Sequence, residues 1–214
     1  IKITNYNEGD FWIFLASVAH PMMCEEKPDY AYMCNVLGTS KIIQEIISKS
    51  GKVLFFSTDM VYGEGGPFTE KSPTKPSGVY ADSKVKLEEK FKHEPNFFSL
   101  RMSYFLGKDI FSNYVIDTAE SNQTIEVYRG FSRNAINKKR VLSTILGYIS
   151  GDIDANLINL AGDRCLEREE IVEIILSERN LHGNVKVVDA PEGYFSIRPR
   201  RIEIDNSLLK SYEQ

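Results

Sequence analysis

Short apolar runs alternate with longer amphipathic segments along the first half of this chain. Residues 11–18, 53–56 and 97–100 are almost wholly apolar, which is typical of parallel strands buried on both faces. Residues 30–48 carry apolar side chains at helical spacing, and a second, Lys- and Glu-rich helix is expected over 79–93. This order of strand, helix, strand, helix and strand predicts an α/β fold with a parallel sheet.

The second half of the chain is less regular but continues the alternation. It contains no internal repeat, no low-complexity segment and no linker long enough to separate two independent domains. The tail R-P-R-R-I-E-I-D-N-S-L-L-K alternates briefly and then becomes polar. The patterns predict helices over 113–120, 138–148 and 169–179, and strands over 125–128, 156–160 and 185–188.

The composition of the chain limits which partners it can bind and indicates where in the cell it is located. The chain has 214 residues and a net charge of −4, which argues against nucleic acid or an anionic membrane as the main partner but leaves room for a local basic site. No apolar run approaches the roughly 18–20 residues of a membrane span. The three cysteines (Cys24, Cys34 and Cys165) lack metal-ligand spacing, so no metal is expected and a reducing cytoplasm is the predicted location.

Residues 53–84 carry the clearest candidate chemistry. The run V-L-F-F predicts a strand that ends at the polar residues Ser57, Thr58 and Asp59, and a loop rich in glycine and proline follows. The next helix presents Tyr80 and Lys84 four residues apart, a spacing that places both side chains on one face. A hydroxyl, a phenol and an amine are therefore expected to meet near the strand end.

A nearby ammonium favours the phenolate, so Lys84 is expected to lower the pKa of Tyr80. A change from about 10 to about 7 requires roughly 4 kcal/mol, much of which one partly desolvated lysine could supply. Tyr80 would then exchange a proton with a substrate hydroxyl or carbonyl while Thr58 orients that oxygen. The alternative is an ordinary exposed pair, because Tyr-x-x-x-Lys alone is common on helix surfaces.

The combination of motifs is far more specific. Six segments of the chain contribute: D-F-W-I-F-L-A-S, N-V-L-G-T, S-T-D-M-V-Y-G, a proline-rich spacer, Y-A-D-S-K and S-L-R-M-S. Together they resemble the extended short-chain dehydrogenase/reductase family. The tail is similar to that of dTDP-4-dehydrorhamnose reductases. The resemblance implies a Rossmann-type parallel sheet with a small C-terminal substrate lobe, formed mainly by 108–124 and 162–214 of one domain, 1–214. It also implies NAD or NADP as cofactor, a nucleotide-sugar substrate and a homodimer.

The resemblance also implies roles for individual positions. Thr58, Tyr80 and Lys84 match the family's catalytic residues, and Lys84 also matches the lysine that holds the nicotinamide ribose. The matched cofactor-binding positions are Ala16, Ser17, Asn35, Ser57, Tyr80, Lys84 and Met102. The matched substrate-binding positions are Thr58, Asp59, Ser103 and Arg198.

Several of these positions have ordinary alternatives. Close packing would explain Ala16 and Ser17, a helix N-cap would explain Asn35, and a solvated charge in a basic tail would explain Arg198. His20, Glu70 and Arg133 are weaker candidates for the substrate side, because each is more often a solvated loop residue. The expected dimer helices, 35–48 and 79–93, show no obvious exposed apolar seam in the sequence.

Two departures from the family pattern affect the functional prediction. The glycine-rich turn that receives the pyrophosphate in this family is not in the sequence. The first residues, I-K-I-T-N-Y-N, match the segment just before the family's fourth strand, so about fifty to sixty residues of the family pattern have no counterpart in this sequence. Whether the native protein carries that segment stays open. Met60 stands where the family's dehydratases have a glutamate base, which disfavours dehydration. The predicted function is an NAD(P)-dependent keto-sugar reductase; a 4-epimerase and a non-catalytic relative retained for binding are the alternatives.

Overall fold

A computed structural model describes residues 7–107 and 109–213, and every element below lies in those ranges. The strands are β1 (Phe11–Phe14), β2 (Lys52–Thr58), β3 (Gly65–Phe68), β4 (Phe97–Met102), β5 (Phe105–Leu106), β6 (Thr124–Tyr128), β7 (Ser132–Arg133), β8 (Ile136–Asn137), β9 (Leu157–Leu160), β10 (Leu166–Glu167), β11 (Asn184–Val188) and β12 (Arg201–Ile204). The helices are α1 (Pro21–Glu26), α2 (Pro28–Tyr32), α3 (Thr39–Ser48), α4 (Gly78–Phe91), α5 (Ile110–Glu120), α6 (Lys138–Ser150), α7 (Arg168–Glu178) and α8 (Ser207–Ser211).

The central sheet has the order β1-β2-β4-β9, and all its strands are parallel. Alternate residues of the apolar runs pack on opposite faces, which is why these runs are apolar throughout. One face packs against α3 and α4 and includes Val53, Phe55, Phe97, Ile43, Ile46, Leu87 and Phe91. The other packs against α6 and includes Leu54, Phe56, Phe98, Leu100, Ile158, Val141 and Tyr148. The predicted α/β class is confirmed.

The first long helix runs through 28–48 and is not uniform. A π-helical segment, Met33–Gly38, joins α2 to α3 and includes the buried Asn35. The helix predicted over 30–48 is therefore confirmed. Tyr32, Met33 and Leu37 are exposed on this long helix, and of these only Leu37 lies within the expected dimer helix 35–48.

A second core lies beside the sheet. The parallel pair β6 and β11 packs with α5 and α7 around Val115, Ile125, Val127, Ile171, Val172 and Ile175. A further sheet, ordered β10-β7-β12-β3, uses the predicted alternating tail as β12 and packs Ile202 and Ile204 against Val61 and Tyr62. No helix in the described ranges is long and apolar enough to cross a membrane.

The sequence analysis did not predict seven of these elements, namely α1, α8, β3, β5, β7, β8 and β10. Helix α1 occupies the predicted loop after His20, which caps it, and Cys24 is its only fully buried side chain, so it has no apolar period. Strand β3 is Gly-Gly-Pro-Phe and forms only because it pairs with β12, far away in sequence. The segment I-K-I-T-N-Y-N was matched to a family segment by sequence. Its residues 1–6 lie outside the described residues, and only Asn7 lies within them.

Helix α4 is joined to the sheet by a buried ion pair near its C-terminal end. Arg101 Nη2 and Nε donate to Glu88 Oε2 at 2.6 and 3.1 Å, and Ser99 Oγ donates to Glu88 Oε1 at 3.2 Å. Both charged side chains are buried, and the Arg101 guanidinium also lies 4.7 Å from the Tyr62 ring centroid. Removing one partner would leave the other charge uncompensated inside the protein.

Glu88→Gln is expected to lower the free energy of unfolding by about 3 kcal/mol, because Arg101 loses its buried counter-charge. The matched control is Asp82→Asn on the same helix, where the pair with Lys86 is solvent-exposed and should be worth less than about 1 kcal/mol. Urea unfolding of both variants measures the difference. Equal losses in the two variants would contradict the role assigned to the Glu88–Arg101 pair.

Candidate functional site

The C-terminal ends of β2 and β4 form the floor of the candidate site. Thr58, the last residue of β2, pairs in register with Met102 of β4. The chain then turns sharply into a short 3₁₀ helix, Asp59–Tyr62, and Thr58 Oγ1 caps it by accepting from the Met60 N–H at 3.3 Å. The predicted strand end and its hydroxyl therefore lie where parallel strands commonly present functional groups.

Asp59 is a buried carboxylate directly beneath this floor. Its Oδ2 accepts from Ser103 Oγ at 2.7 Å and lies 3.8 Å from Arg133 Nε, while Thr58 Oγ1 lies 3.5 Å from Oδ1. Burial raises the pKa of Asp59, and Arg133 and the hydrogen bonds from Ser103 and Thr58 oppose that rise. Asp59 thus fixes the strand ends relative to each other and brings negative potential close to the site.

The N-terminal end of α4 is held by contacts from other elements. Glu25 of α1 accepts from the Val79 N–H at 2.6 Å, a carboxylate at a helix N-terminus. Gly78 has φ +83, a left-handed backbone conformation that favours glycine. Ser83 Oγ donates to the Tyr80 carbonyl at 2.6 Å. These contacts set the position of Tyr80 on the first turn of α4.

Lys84 is almost completely buried and points at the sheet. Its Nζ donates to the Phe56 carbonyl at 2.8 Å and lies 4.6 Å from the Phe55 ring centroid and 5.7 Å from that of Tyr80. Burial lowers its pKa from 10.5 to about 8, although Glu88 and Cys24 partly oppose this. The ammonium is therefore behind the tyrosine, bonded to the backbone of β2.

The expectation that Lys84 lowers the pKa of Tyr80 does not agree with the structure. Burial raises that pKa to about 12, and Asp59 and Cys24 add to the rise because negative charge nearby disfavours phenolate. The Lys84 ammonium donates to the Phe56 carbonyl, not to the phenol. Tyr80 is therefore a neutral phenol at pH 7 and is suited to donating a proton.

One cavity of about 310 Å³ collects most of the predicted site residues. Of the predicted set, it is lined by Ser57, Thr58, Asp59, Tyr80, Met102, Ser103 and Arg198. Its other lining residues are Met60, Tyr104, Phe105, Phe131, Arg133, Arg168 and Tyr194. A phenol, a hydroxyl and several guanidinium groups therefore face the same space.

Four predicted residues do not line this cavity. Lys84 lies behind Tyr80, while Ala16 is exposed and Ser17 half-buried in the loop after β1. Asn35 is buried within the π-helical segment, so the N-cap alternative for it is wrong. Its Oδ1 accepts from the Val18 N–H at 2.7 Å, and its Nδ2 donates to the Val18 carbonyl at 3.0 Å and lies 3.4 Å from Ser83 Oγ. Asn35 thereby ties the loop after β1 to α4.

Arg198 and Arg133 reach the cavity from the C-terminal half of the chain. Arg198 is half-buried with its guanidinium 4.8 Å from the Tyr194 ring centroid, unlike a fully solvated charge. Arg133 is buried, and it donates to the carbonyls of Ser132, Arg200 and Pro199 at 2.6–2.8 Å. Arg133 therefore ties the tail, which carries Arg198, to β7.

The other weak candidates have structural partners elsewhere. His20 caps α1, and Glu70 accepts from the Asn159 N–H at 2.8 Å. The sequence analysis missed Tyr104, Phe131, Arg168 and Tyr194. One signal was available for Arg168: a cation at the first position of a helix is opposed by the helix dipole, so it calls for another explanation.

Ser57 provides a test of whether a dinucleotide fits this edge of the sheet. Its Oγ is buried without a hydrogen-bond partner among the described residues, and it lines the cavity next to Tyr80. Such an atom suits a ribose or amide group, so the residues present fit the nicotinamide half of a dinucleotide. Within the described ranges, no cluster of His, Cys, Asp and Glu side chains could hold a metal ion.

Known structures share this fold. A hypothetical dTDP-4-dehydrorhamnose reductase from Sulfolobus tokodaii is 26% identical, with a TM-score of 0.82 over 94% of this chain and 73% of its own. A dTDP-4-dehydrorhamnose reductase from Bacillus anthracis in complex with NADP is 21% identical, with a TM-score of 0.83 over 94% and 73%. A UDP-N-acetylglucosamine 4-epimerase from Methanobrevibacter ruminantium is also 21% identical, with a TM-score of 0.80 over 97% and 71%.

The sequence comparisons are more selective. No curated protein matches the chain significantly. The family model for the RmlD substrate binding domain matches residues 2–154. That range covers strands β1, β2 and β4 of the central sheet but not β9, and it includes Thr58, Tyr80 and Lys84. The chain therefore belongs to the RmlD substrate-binding-domain family.

Proposed function

We propose that this protein is an NAD(P)-dependent reductase of a nucleotide-linked keto-sugar. The observation that carries the proposal is a neutral, half-buried Tyr80 that shares one cavity with Thr58 and has the buried ammonium of Lys84 behind it. A proton donor, an orienting hydroxyl and a fixed positive charge are the groups that carbonyl reduction requires. The dTDP-4-dehydrorhamnose reductases among the similar structures support this assignment.

Each catalytic side chain has a defined task in this proposal. Thr58 Oγ1 turns its one proton from Asp59 Oδ1, 3.5 Å away, to the keto oxygen, while the Met60 N–H holds the threonine hydroxyl in place. Tyr80 Oη donates a proton to the same oxygen, so that the carbonyl becomes an alcohol. Lys84 stabilises the phenolate that remains. Its Nζ lies 5.7 Å from the Tyr80 ring centroid, and charges at about that separation attract each other by about 3 kcal/mol at an effective dielectric of about 20.

A bound nicotinamide would supply the hydride for the reduction. The residues of this chain proposed to hold that half of the cofactor are Ser57, Tyr80, Lys84 and Met102, with Ala16, Ser17 and Asn35 in or against the loop after β1. Ser57 contributes a buried hydroxyl that has no partner of its own among the described residues. The proposal covers NAD and NADP alike.

The substrate lobe is proposed to comprise mainly 108–124 and 162–214, supported by the separate core around β6 and β11. Asp59, Ser103 and Arg198 are proposed on the substrate side of the cavity. The exposed side chains of Tyr32, Met33 and Leu37 support a homodimer formed through the first long helix. Free cysteines at 24, 34 and 165 support a cytoplasmic location, and the net acidity supports a protein that does not bind nucleic acid.

A 4-epimerase is the second candidate, because the similar structures include a UDP-N-acetylglucosamine 4-epimerase. The two activities differ in cofactor balance. A reductase consumes one NAD(P)H for each product formed, whereas an epimerase returns its cofactor to the starting state. Dehydration is disfavoured because Met60, which lines the cavity, has no proton to exchange.

Tyr80→Phe is expected to lower kcat at least about 100-fold, because the proton donor is lost while the ring remains. The assay follows NADH and NADPH oxidation in a screen of dTDP-, UDP- and GDP-linked keto-sugars, with product analysis for epimers. The matched control is Tyr30→Phe, an exposed tyrosine on α2 outside the residues proposed for the dimer, which should leave the rate unchanged. Full activity in Tyr80→Phe would overturn the role of Tyr80, and no turnover of any sugar by the unaltered protein would favour the binding-only alternative.

The reductase rate is expected to fall as the pH rises through about 8, the pH range in which Lys84 loses its charge. Tyr80 stays protonated up to about pH 12 and does not cause this decline. Lys84→Arg should move the alkaline limb of kcat/KM upwards, because a guanidinium stays charged, while lowering the maximum rate. An unchanged alkaline limb in that variant would contradict the assignment.

The titration of Lys84 does not itself destabilise the fold in this pH range. The folded-state pKa of Lys84 lies below its usual 10.5, so between about pH 8 and 10.5 the unfolded chain binds more protons at this residue. The Lys84 contribution to the unfolding free energy therefore increases with pH in this window. As the pH rises through this window, the reductase rate should therefore fall while the Lys84 contribution to the unfolding free energy rises. Thermal unfolding at matched pH values can verify the second change.

A further inference from the structure

Helix α6 carries an exposed apolar stripe. Leu142, Leu146 and Ile149 follow one another at intervals of four and three residues, which places their side chains on one side of the helix. Their exposed fractions are 47%, 62% and 52%. The buried side of α6, which includes Val141 and Tyr148, already packs against the central sheet. The stripe therefore lies outside the core, and within the described ranges no element covers it.

Charged residues stand at both ends of this stripe, and both oppose the helix dipole. Lys139 lies in the first turn of α6, three residues before Leu142, and Asp152 follows the C-cap Gly151. A helix N-terminus favours negative charge and a C-terminus favours positive charge, so each group is unfavourably placed on its own helix. Both residues are exposed, and although Asp152 accepts a hydrogen bond from Ser150 Oγ, neither forms an ion pair with another described residue.

A groove runs beside the stripe along the length of α6. It is a cavity of about 940 Å³ whose lining includes residues of α6 and α8 and extends from Lys139 in the first turn of α6 to Asp152 beyond its last turn. Leu146, Leu209 and Tyr212 belong to its apolar lining. The apolar surface is therefore elongated in the direction of α6, and its two ends carry opposite charges.

This surface is complementary to itself in an antiparallel arrangement. A two-fold axis midway between positions 145 and 146 brings Leu142 of each copy opposite Ile149 of the other, and the same axis brings Lys139 opposite Asp152. Such a contact is isologous, so each pair forms twice. Each charge then lies beside the helix end of the other copy that favours it. A parallel arrangement would instead place like charges opposite each other.

We propose that α6 pairs antiparallel with α6 of a second copy of this chain, so that this helix is a subunit interface. The apolar stripe and the groove supply the contact area, and the two Lys139–Asp152 pairs fix its direction and register. Helix α6 packs on the opposite face of the central sheet from α3, so this contact is separate from the homodimer proposed through the first long helix. Where both contacts form, the closed assembly is a tetramer; the α6 contact alone gives a dimer.

The first test changes the centre of the stripe. Leu146→Glu places two carboxylates near the two-fold axis, and in sedimentation equilibrium it is expected to halve the mass of the full-length protein, from tetramer to dimer or from dimer to monomer. The matched control is Ile110→Glu, a comparable change at an 82% exposed side chain of α5, which should leave the mass unaltered. An unaltered mass in Leu146→Glu would overturn the proposal.

Charge reversal tests the register. Lys139→Asp and Asp152→Lys should each raise the dissociation constant of the α6 contact about tenfold, because each places like charges opposite each other at two symmetric positions. The variant that combines both changes should associate normally, since the pairs form again with their signs exchanged. Within one copy these residues are thirteen positions apart, about 20 Å along the helix, so the recovery can only come from contact between copies. Additive losses in the combined variant would overturn the antiparallel pairing.

Stability measurements separate a second copy from other occupants of α6. At concentrations low enough to dissociate the α6 contact, Leu146→Glu should unfold at the same temperature as the unaltered protein, because the side chain is then exposed in both. A lower unfolding temperature without any change in mass would mean that another part of the same polypeptide covers α6. An unaltered protein that sediments as a monomer at every concentration would mean that copies of this chain do not pair. Either result would overturn the proposal.

Discussion

The hydrogen bond from Lys84 to the Phe56 carbonyl is the interaction on which the site depends. Strand β1 pairs with β2 only as far as Phe55, so the edge of β2 beyond that point is open to a side chain from α4. The drop in the Lys84 pKa from 10.5 to about 8 means that the charged form still bears a cost of about 3 kcal/mol. Such a cost is tolerated only where the surrounding packing is firm, and the Glu88–Arg101 pair, Asn35 and Glu25 hold α4 at three other points along its length. Tyr80 lies one turn before Lys84 on α4, so the contacts that fix α4 also fix the position of Tyr80.

The electrostatics of the site divide between its two sides. On the side of the parallel sheet, burial and Asp59 keep Tyr80 neutral, while Lys84 provides a positive charge that the phenol does not contact directly. On the side of the C-terminal half, Arg133, Arg168 and Arg198 bring positive charge to the cavity wall. A reacting carbonyl suits the first side and an anionic carrier group suits the second. The same cavity can therefore combine proton donation with selection of a charged substrate.

Much of the fold could be predicted from the sequence because the strands are buried on both faces and the helices are long. The apolar run before Ser57 and the spacing of Tyr80 and Lys84 required no tertiary information, and the family resemblance is confirmed by the match over residues 2–154. Spacing gave proximity but neither burial nor the neighbouring Asp59, so the direction of the Tyr80 pKa shift was wrong. The contacts of Asn35 and Arg168 could not be predicted, because they are formed by elements distant in sequence. Strand β3 was missed for the same reason, since its pairing with β12 joins residues far apart in the chain.

Catalysis by this site requires Tyr80 to be a neutral proton donor at physiological pH. The most direct measurement is a ¹³C NMR titration of the protein labelled at the tyrosine ζ carbon, with the Tyr80 resonance assigned from the Tyr80→Phe spectrum. This resonance is expected to show no ionisation below about pH 10, because the pKa of Tyr80 is about 12. An ionisation of Tyr80 near pH 7 would contradict it.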